Sequence, residues 1–446
     1  MMTVVGLLLA TTSLVYSPLC GAESTSKPVP VYFSLIISGG ENGYRSSGGI
    51  PSIDMALDAV ARTGILPGYN LTYKHIRNSK CTRTDSLDVF FKDTQLGAVP
   101  KIAVVGCGCS TATEPVAEIS HYWNITHISF ASALSSLSDR SRFRYYFRTT
   151  PSFANYAPAI LGVLNNFNWK QLAFITQNQN LFLQILSDFE ELKQNLVDGK
   201  TEVCCFDNHD IEMDSSIFED NGDPVAAAIK IFDQGRFHLF VLNCYSKHAR
   251  KIVCEALKRN FVYPHYGWIM FGWYPDKWWT EEVAGEHIDE CSDEELETFM
   301  KRSRSLIIDF LPEPDDYYQT ADAGISTDQF IKNYTQNLRD SEYIISTVYI
   351  IAFDTIWSLA LMLNKTEEMR MSNVSKENSQ LMNCSHLDGE LVPLNEFNYS
   401  NAFMGCVMKE NFHKVNFTGV SGPVRYDENG TIVYTRIRLS QYREEN

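Results

Sequence analysis

Short apolar runs alternate with amphipathic stretches along most of the chain, a pattern that predicts parallel strands joined by helices. Val31 to Ser38 reads as a strand, and Ser52 to Arg62 as a helix with Ile53, Ala56, Leu57 and Val60 on one face. Pro67-Gly68 turns the chain into a strand from Asn70 to Ile76. Strands are expected at Ile102 to Val105, Thr126 to Phe130 and Gln171 to Thr176, with helices at Thr113 to Ser120 and Tyr156 to Asn166. A second set runs helix Leu181 to Leu196, strand Glu202 to Phe206, helix Pro224 to Phe232, strand Phe237 to Tyr245, helix Ser246 to Asn260 and strand Gly267 to Trp273. In a chain of 446 residues this makes two doubly wound α/β lobes, and such sheets take ligands beyond the carboxyl ends of their strands. The cleft between the lobes is therefore the expected site. No repeat at solenoid spacing is present, and the polar stretch from Lys365 to Asn398 reads as a linker.

The first residues change the compartment. An apolar run from Val4 to Leu9 leads to Cys20-Gly21-Ala22, with small side chains where a signal peptidase reads, although no Lys or Arg precedes it. A cut after Ala22 is expected. Nine Asn-X-Ser/Thr sequons, at Asn70, Asn124, Asn333, Asn364, Asn373, Asn383, Asn398, Asn416 and Asn429, agree with a secreted or cell-surface chain, because sequons are used only in the secretory pathway. Six of them lie at or after Asn364, which marks the C-terminal portion as heavily solvated. Of eleven cysteines, ten remain after cleavage, an even number in an oxidising compartment, so disulfides are the default. Cys107-X-Cys109 and Cys204-Cys205 lack a His or second pair at zinc-like spacing, so no metal is expected.

The net charge of −16, with no basic stripe, argues against nucleic acid. The acidic stretch from Asp289 to Glu297 reads as a solvated helix surface, with Ser292 and Glu295 at capping-box spacing. Ile344 to Leu363 is long and apolar enough to suggest a membrane span. Asp354 at its centre and the sequon at Asn364 favour a buried helix instead. No nucleophile elbow, His-Glu-X-X-His helix, P-loop or Gly-rich dinucleotide turn is present, and Asp315-Asp316 after Pro314 reads as a surface loop. A secreted hydrolase is thus the weakest reading, and no cofactor is expected.

Several stretches carry a family resemblance: Pro51 to Leu57, Asn78-Ser79-Lys80-Cys81, Gly108-Cys109-Ser110, Trp123-Asn124, Phe147-Arg148-Thr149, Ala249-Arg250-Lys251 with Cys254-Glu255, Phe271 to Tyr274, and Ile356 to Thr366. Together they resemble the extracellular Venus-flytrap module of GABA-B-type receptors, within the type I periplasmic-binding-protein-like superfamily. The resemblance covers nearly all of residues 31 to 440. Phe417 to Gly422, followed by Tyr426-Asp427 and Asn429-Gly430, resembles the closing hairpin of that superfamily, and Asn-Gly supplies the positive backbone angles of a tight turn. Carried onto this chain, the arrangement makes residues 1–22 the signal peptide, 30–155 with 284–415 the first lobe, and 156–283 with 416–446 the second. It implies disulfides Cys81 to Cys109 and Cys254 to Cys291. Cys384 and Cys406 form a conjectured local pair; Cys107, Cys204, Cys205 and Cys244 have no assigned partner.

The resemblance also implies a ligand site. A free amino acid presents a carboxylate and an ammonium, so its site needs donors at one end and an anion or aromatic face at the other. Ser110 stands where the family holds the carboxylate, at the start of a helix whose free N–H groups favour an anion; read alone it is an ordinary N-cap. Tyr245 and Trp273 match the second-lobe aromatics that close over the ligand, an indole face being worth about 0.5 to 2 kcal/mol to a cation; read alone they are core. Tyr44 aligns near the family's first-lobe tryptophan across a gap.

Three positions depart from the pattern. Ala133 replaces a second serine, although Ser132 adjoins it; Thr150 replaces a histidine; and Val348 replaces the acid that pairs with the ligand amine. Losing the only carboxylate opposite a desolvated ammonium costs about 2 to 5 kcal/mol. The expected function is a ligand-sensing ectodomain for a small amino-acid-like or carboxylate ligand, working as a homo- or heterodimer through the first lobe, with a G protein reached only through a membrane domain absent from this chain. The alternative is a partner subunit with an empty cleft, or a soluble binding protein of the same fold.

Overall fold

The computed structural model describes residues 27–39, 46–198, 211–275, 277–284, 290–303, 305–309, 321–338, 349–374, 376, 378, 381, 383–433 and 438–441. The expected signal peptide, Tyr44, Cys204, Cys205, Asp315, Asp316, Val348 and the expected strand Glu202 to Phe206 lie outside them.

The first lobe is built on five parallel strands, β1 (Val29–Ile37), β2 (Tyr69–Asn78), β3 (Ala103–Gly106), β4 (Thr126–Ser129) and β5 (Tyr146–Arg148), in the order β2-β1-β3-β4-β5. Helices α1 (Gly49–Thr63), α2 (Arg83–Thr94) and α3 (Ser110–Ser120) connect them. The α1 helix buries Ile53, Ala56 and Val60 and stops at Gly64, whose φ of 66° is the left-handed conformation glycine allows at a helix end. Thr82 caps α2 by accepting the Asp85 N–H at 3.0 Å.

The chain crosses into the second lobe through α4 (Tyr156–Asn166), β6 (Gln171–Gln177) and α5 (Asn180–Val197). It continues through β7 (Glu212–Phe218), α6 (Pro224–Phe232), β8 (Leu239–Asn243), α7 (Ser246–Lys258), β9 (Gly267–Phe271), the short α8 (Glu281–Ala284), α9 (Asp293–Ser303) and β10 (Leu306–Asp309). It then returns to the first lobe with α10 (Thr327–Leu338), α11 (Ile350–Met371) and α12 (Ala402–His413), and adds a hairpin, β11 (Asn416–Gly419) and β12 (Gly422–Arg425). A last strand, β13 (Arg438–Gln441), ends in the second sheet, ordered β13-β10-β9-β8-β6-β7. All its pairings are parallel except β13 against β10.

This connectivity moves two expected boundaries. Residues 290–309 belong with the second lobe, not the first: β10 extends the sheet beside β9, α9 packs on α7, and Cys254 bonds to Cys291. Pairing with β9 satisfies backbone groups that would otherwise stand at a sheet edge. Conversely, the hairpin expected in the second lobe packs on the first, where Phe417, Val420 and Val424 share a core with Ile128, Phe147 and Phe412. Asp354, fully buried in α11, fixes it by accepting the N–H groups of Val420 at 3.0 Å and Ser421 at 2.7 Å. Gly419 allows that approach, since a Cβ there would lie 2.4 Å from the Asp354 carboxylate.

From Ile350 onward the apolar run that ends at Leu363 is helical and opens α11, which packs against α1 and α12 and is buried on nearly every face. Among the described residues no helix is long and apolar enough to cross a membrane. Ser292 and Glu295 form a reciprocal capping box, with Ser292 N–H on Glu295 Oε2 at 2.8 Å and Glu295 N–H on Ser292 Oγ at 3.3 Å. Disulfides join Cys81 to Cys109, Cys254 to Cys291 and Cys384 to Cys406, while Cys107 and Cys244 are buried thiols.

Candidate ligand-binding cleft

The carboxyl ends of both sheets carry the sequence-derived candidates. Ser110 opens α3 directly after the Cys81–Cys109 disulfide, so the cross-link anchors the amino end of this helix. Its Oγ accepts the Leu134 N–H at 3.2 Å, which ties the helix start to the loop after β4. Ser132 is set deeper. Its hydroxyl lies 2.6 Å from Thr113 Oγ1 and donates to the Cys107 carbonyl at 2.9 Å, and its side chain is fully buried. It braces the loop and has no surface for a ligand in this conformation.

The loop bearing Leu134 and Ser136 is held by Arg148, one of the motif residues. Fully buried, it donates to Leu134 O at 2.6 Å, Ser138 Oγ at 2.5 Å and Thr431 Oγ1 at 2.9 Å. Burial pulls its guanidinium below the ordinary range, opposed by Tyr146 and Asp427. Three bonded acceptors make the buried cation a rigid brace.

In the second lobe Tyr245 follows β8 and Trp273 follows β9, so strand order sets them side by side. Their rings meet edge to face at 5.8 Å, and Tyr245 also packs edge-on against Phe182 at 4.9 Å. Tyr245 is buried and donates its N–H to Gln177 Oε1 at 3.0 Å. Burial pushes its phenol up, with Asp220 adding to the shift. Trp273 is half-buried and lies nearly parallel to Phe271, Phe153 and Phe182 at 5.9, 6.3 and 6.4 Å. Its indole N–H is buried and has no hydrogen-bond partner among the described residues. A buried donor left unmade costs about 1 to 3 kcal/mol, so this N–H is poised for an acceptor.

Between the lobes runs a groove of about 360 Å³, walled by Glu114, Leu134 and Ser136 on one side and Asn180, Leu183, Gln184 and Ser187 of α5 on the other. Glu114 pairs with Arg83 at 3.0 Å and accepts from Ser136 Oγ at 3.3 Å. Across the groove Asp188 accepts from Gln184 at 2.7 Å and from Ser135 of the first lobe at 3.4 Å. These polar walls were not among the sequence candidates. Glu114 could have been found, since it stands one turn beyond Ser110 on the same helix face. Among the described residues no group of three or more His, Cys, Asp or Glu is placed to hold a metal ion.

The architecture defines a class: two doubly wound lobes with a groove between them. The chain belongs to the family described as the receptor family ligand binding region, which matches residues 50–444. Subunit 2 of the human gamma-aminobutyric acid type B receptor is 24% identical over 397 residues, covering 88% of this chain and 38% of that protein. Subunit 1 of the mouse receptor is 28% identical over 384 residues, 85% of this chain and 36% of that protein. Subunit 1 from Caenorhabditis elegans is 26% identical over 400 residues, 88% and 39%. The chain thus spans less than two-fifths of the length of these receptor subunits. A substrate-binding protein of an ABC transporter from Desulfitobacterium hafniense, solved in complex with Leu, superposes with a TM-score of 0.62 at 12% identity, over 93% of this chain and 98% of that one. At that identity the likeness is one of fold.

Proposed function

We propose that the chain is the extracellular ligand-sensing module of a GABA-B-like receptor, taking a small amino-acid-like or carboxylate ligand between its lobes. The reading rests on one observation above others: the Tyr245 and Trp273 rings stand together at the second-lobe strand ends, with the Trp273 N–H buried and unpartnered. A ligand carboxylate is the acceptor that this donor lacks, and the amino end of α3 at Ser110 offers more donors. The aromatic faces suit the aliphatic body or cationic end of the same ligand. Contact with both lobes favours the closed arrangement by differential affinity, and a dimer through the first lobe passes that change to a membrane domain and its G protein. Enzymatic turnover has no place in this reading.

A second reading, a partner subunit with an empty cleft, draws on the internal bonds of the serines. Ser110 Oγ is already engaged by Leu134 N–H, and Ser132 is sealed. Trp273→Ala separates the readings. A sensing cleft loses about tenfold or more in affinity for a bound carboxylate, measured by calorimetry, while the domain stays folded. If the substitution instead unfolds the domain, the indole is core and the sensing role fails.

A further inference from the structure

At the opposite end of the second lobe, the amino ends of its strands enclose a groove of about 820 Å³, a size common to small-molecule sites. Gln171, Leu239, Gly267 and Leu306, which start or adjoin four strands, lie along it. Rings make much of its wall. Phe167 stacks on Trp169 with centroids 4.8 Å apart and planes at 22°, and Tyr266 stacks on His238 at 5.4 Å and 12°. Phe167 and Tyr263 leave 43% and 50% of their surfaces in solvent, an exposure of large rings that marks sites more often than bare surface.

A cation stands beside these rings. Lys170 lines the groove and forms no ion pair among the described residues. Arg302, next to the lining residue Ser303, donates to Asn260 Oδ1 at 3.0 Å. The acid on the lining, Glu212, shares the Arg236 guanidinium with Asp214 and accepts from Gln171 at 2.8 Å. Among the described lining residues the cation without an ion pair is therefore Lys170, in a chain of net charge −16. None of the nine sequons falls between residues 156 and 309, so this lobe offers no N-glycan to cover it.

We propose that this groove is a second ligand site, separate from the interlobe cleft, for a small flat anion: an aryl carboxylate whose ring stacks on the Phe167 and Trp169 faces and whose carboxylate meets Lys170. A neutral sugar would use the ring faces and leave the ammonium idle; a simple inorganic anion would use the ammonium and leave the rings idle. An aryl carboxylate uses both.

The probe is indole-3-acetate, with indole-3-acetamide as its uncharged counterpart, titrated by calorimetry into the secreted domain and three variants. Lys170→Gln and Tyr263→Ala alter the groove at exposed positions; Trp273→Ala alters the cleft. The acetate is expected to bind wild type, to bind about tenfold more weakly to Lys170→Gln, as the loss of one charge-assisted bond requires, and to bind Trp273→Ala unchanged. Tyr263→Ala weakens it too, and the acetamide binds wild type about as weakly as the acetate binds Lys170→Gln. Absence of binding to folded wild type, equal binding of acetate and acetamide, or loss only in Trp273→Ala each overturns the proposal. So does a dimer that Tyr263→Ala dissociates while the acetate stays silent, which would make the groove a protein contact.

Discussion

The Asp354 anchor offers a quantitative test, because the carboxylate is fully buried, has no cation paired with it among the described residues, and holds two backbone N–H groups of the hairpin. Burial pushes its carboxyl up to about 7, with the bonds from Ser421 and Val420 pulling the other way. At pH 5 the folded protein thus holds a proton that an unfolded aspartate has largely lost. The group contributes stability at low pH that is lost as pH rises through about 7. By linkage the contribution is roughly 2 to 3 kcal/mol at pH 5 and close to nil at pH 8. Asp354→Asn cannot titrate, so its deficit against wild type is expected to be largest at pH 5 and to shrink by about 2 to 3 kcal/mol by pH 8. Urea unfolding of both proteins at pH 5, 6.5 and 8, followed by tryptophan fluorescence, measures the difference. Parallel curves, with the same deficit at every pH, would mean that Asp354 is ionised throughout and that the burial argument is wrong.

Two other consequences are direct. Replacing Cys254 and Cys291 together by Ala opens a bridge of sequence separation 37; loop entropy puts the loss near roughly 4 kcal/mol, seen as a lower unfolding midpoint, whereas an unchanged midpoint would deny the bridge a role in holding α9 to α7. Glycopeptide mass spectrometry is expected to find the exposed Asn373, Asn398, Asn416 and Asn429 modified and Asn124 bare, because Asn124 Nδ2 donates to Tyr399 O at 2.8 Å and its Cβ crowds Gly405; full occupancy at Asn124 would contradict that packing.

The alternation of apolar runs and amphipathic stretches carried most of the strands and helices, because a strand buried on both faces leaves a continuous apolar run and a helix buried on one leaves a 3.6-residue period. Several of the elements it missed lack such a mark. In α2, Arg83, Asp85, Asp88, Lys92 and Asp93 surround the buried Phe90 and hide the apolar face. β5 is three residues long, and β7, at the sheet edge, is mostly half-buried rather than apolar. Lobe boundaries depended on pairing partners far apart in sequence, β10 with β9 and β13 with β10, which local composition does not specify. Ser110, Tyr245 and Trp273 were singled out through the family resemblance, since each read alone is an ordinary N-cap or a core aromatic. Ser136 and Gln184 were not, since a polar residue near a helix start reads as solvent-facing until the facing lobe is in view.

The central claim is that the cleft binds a small carboxylate. A thermal-shift screen of the secreted domain against GABA, the standard amino acids and other small carboxylates tests it most directly, since a ligand at 100 times its dissociation constant adds about 2.7 kcal/mol. The account predicts stabilisation confined to compounds with a carboxylate and reduced by Ser110→Ala. Silence across the panel from a folded domain would contradict it and leave the chain as the partner subunit with an empty cleft.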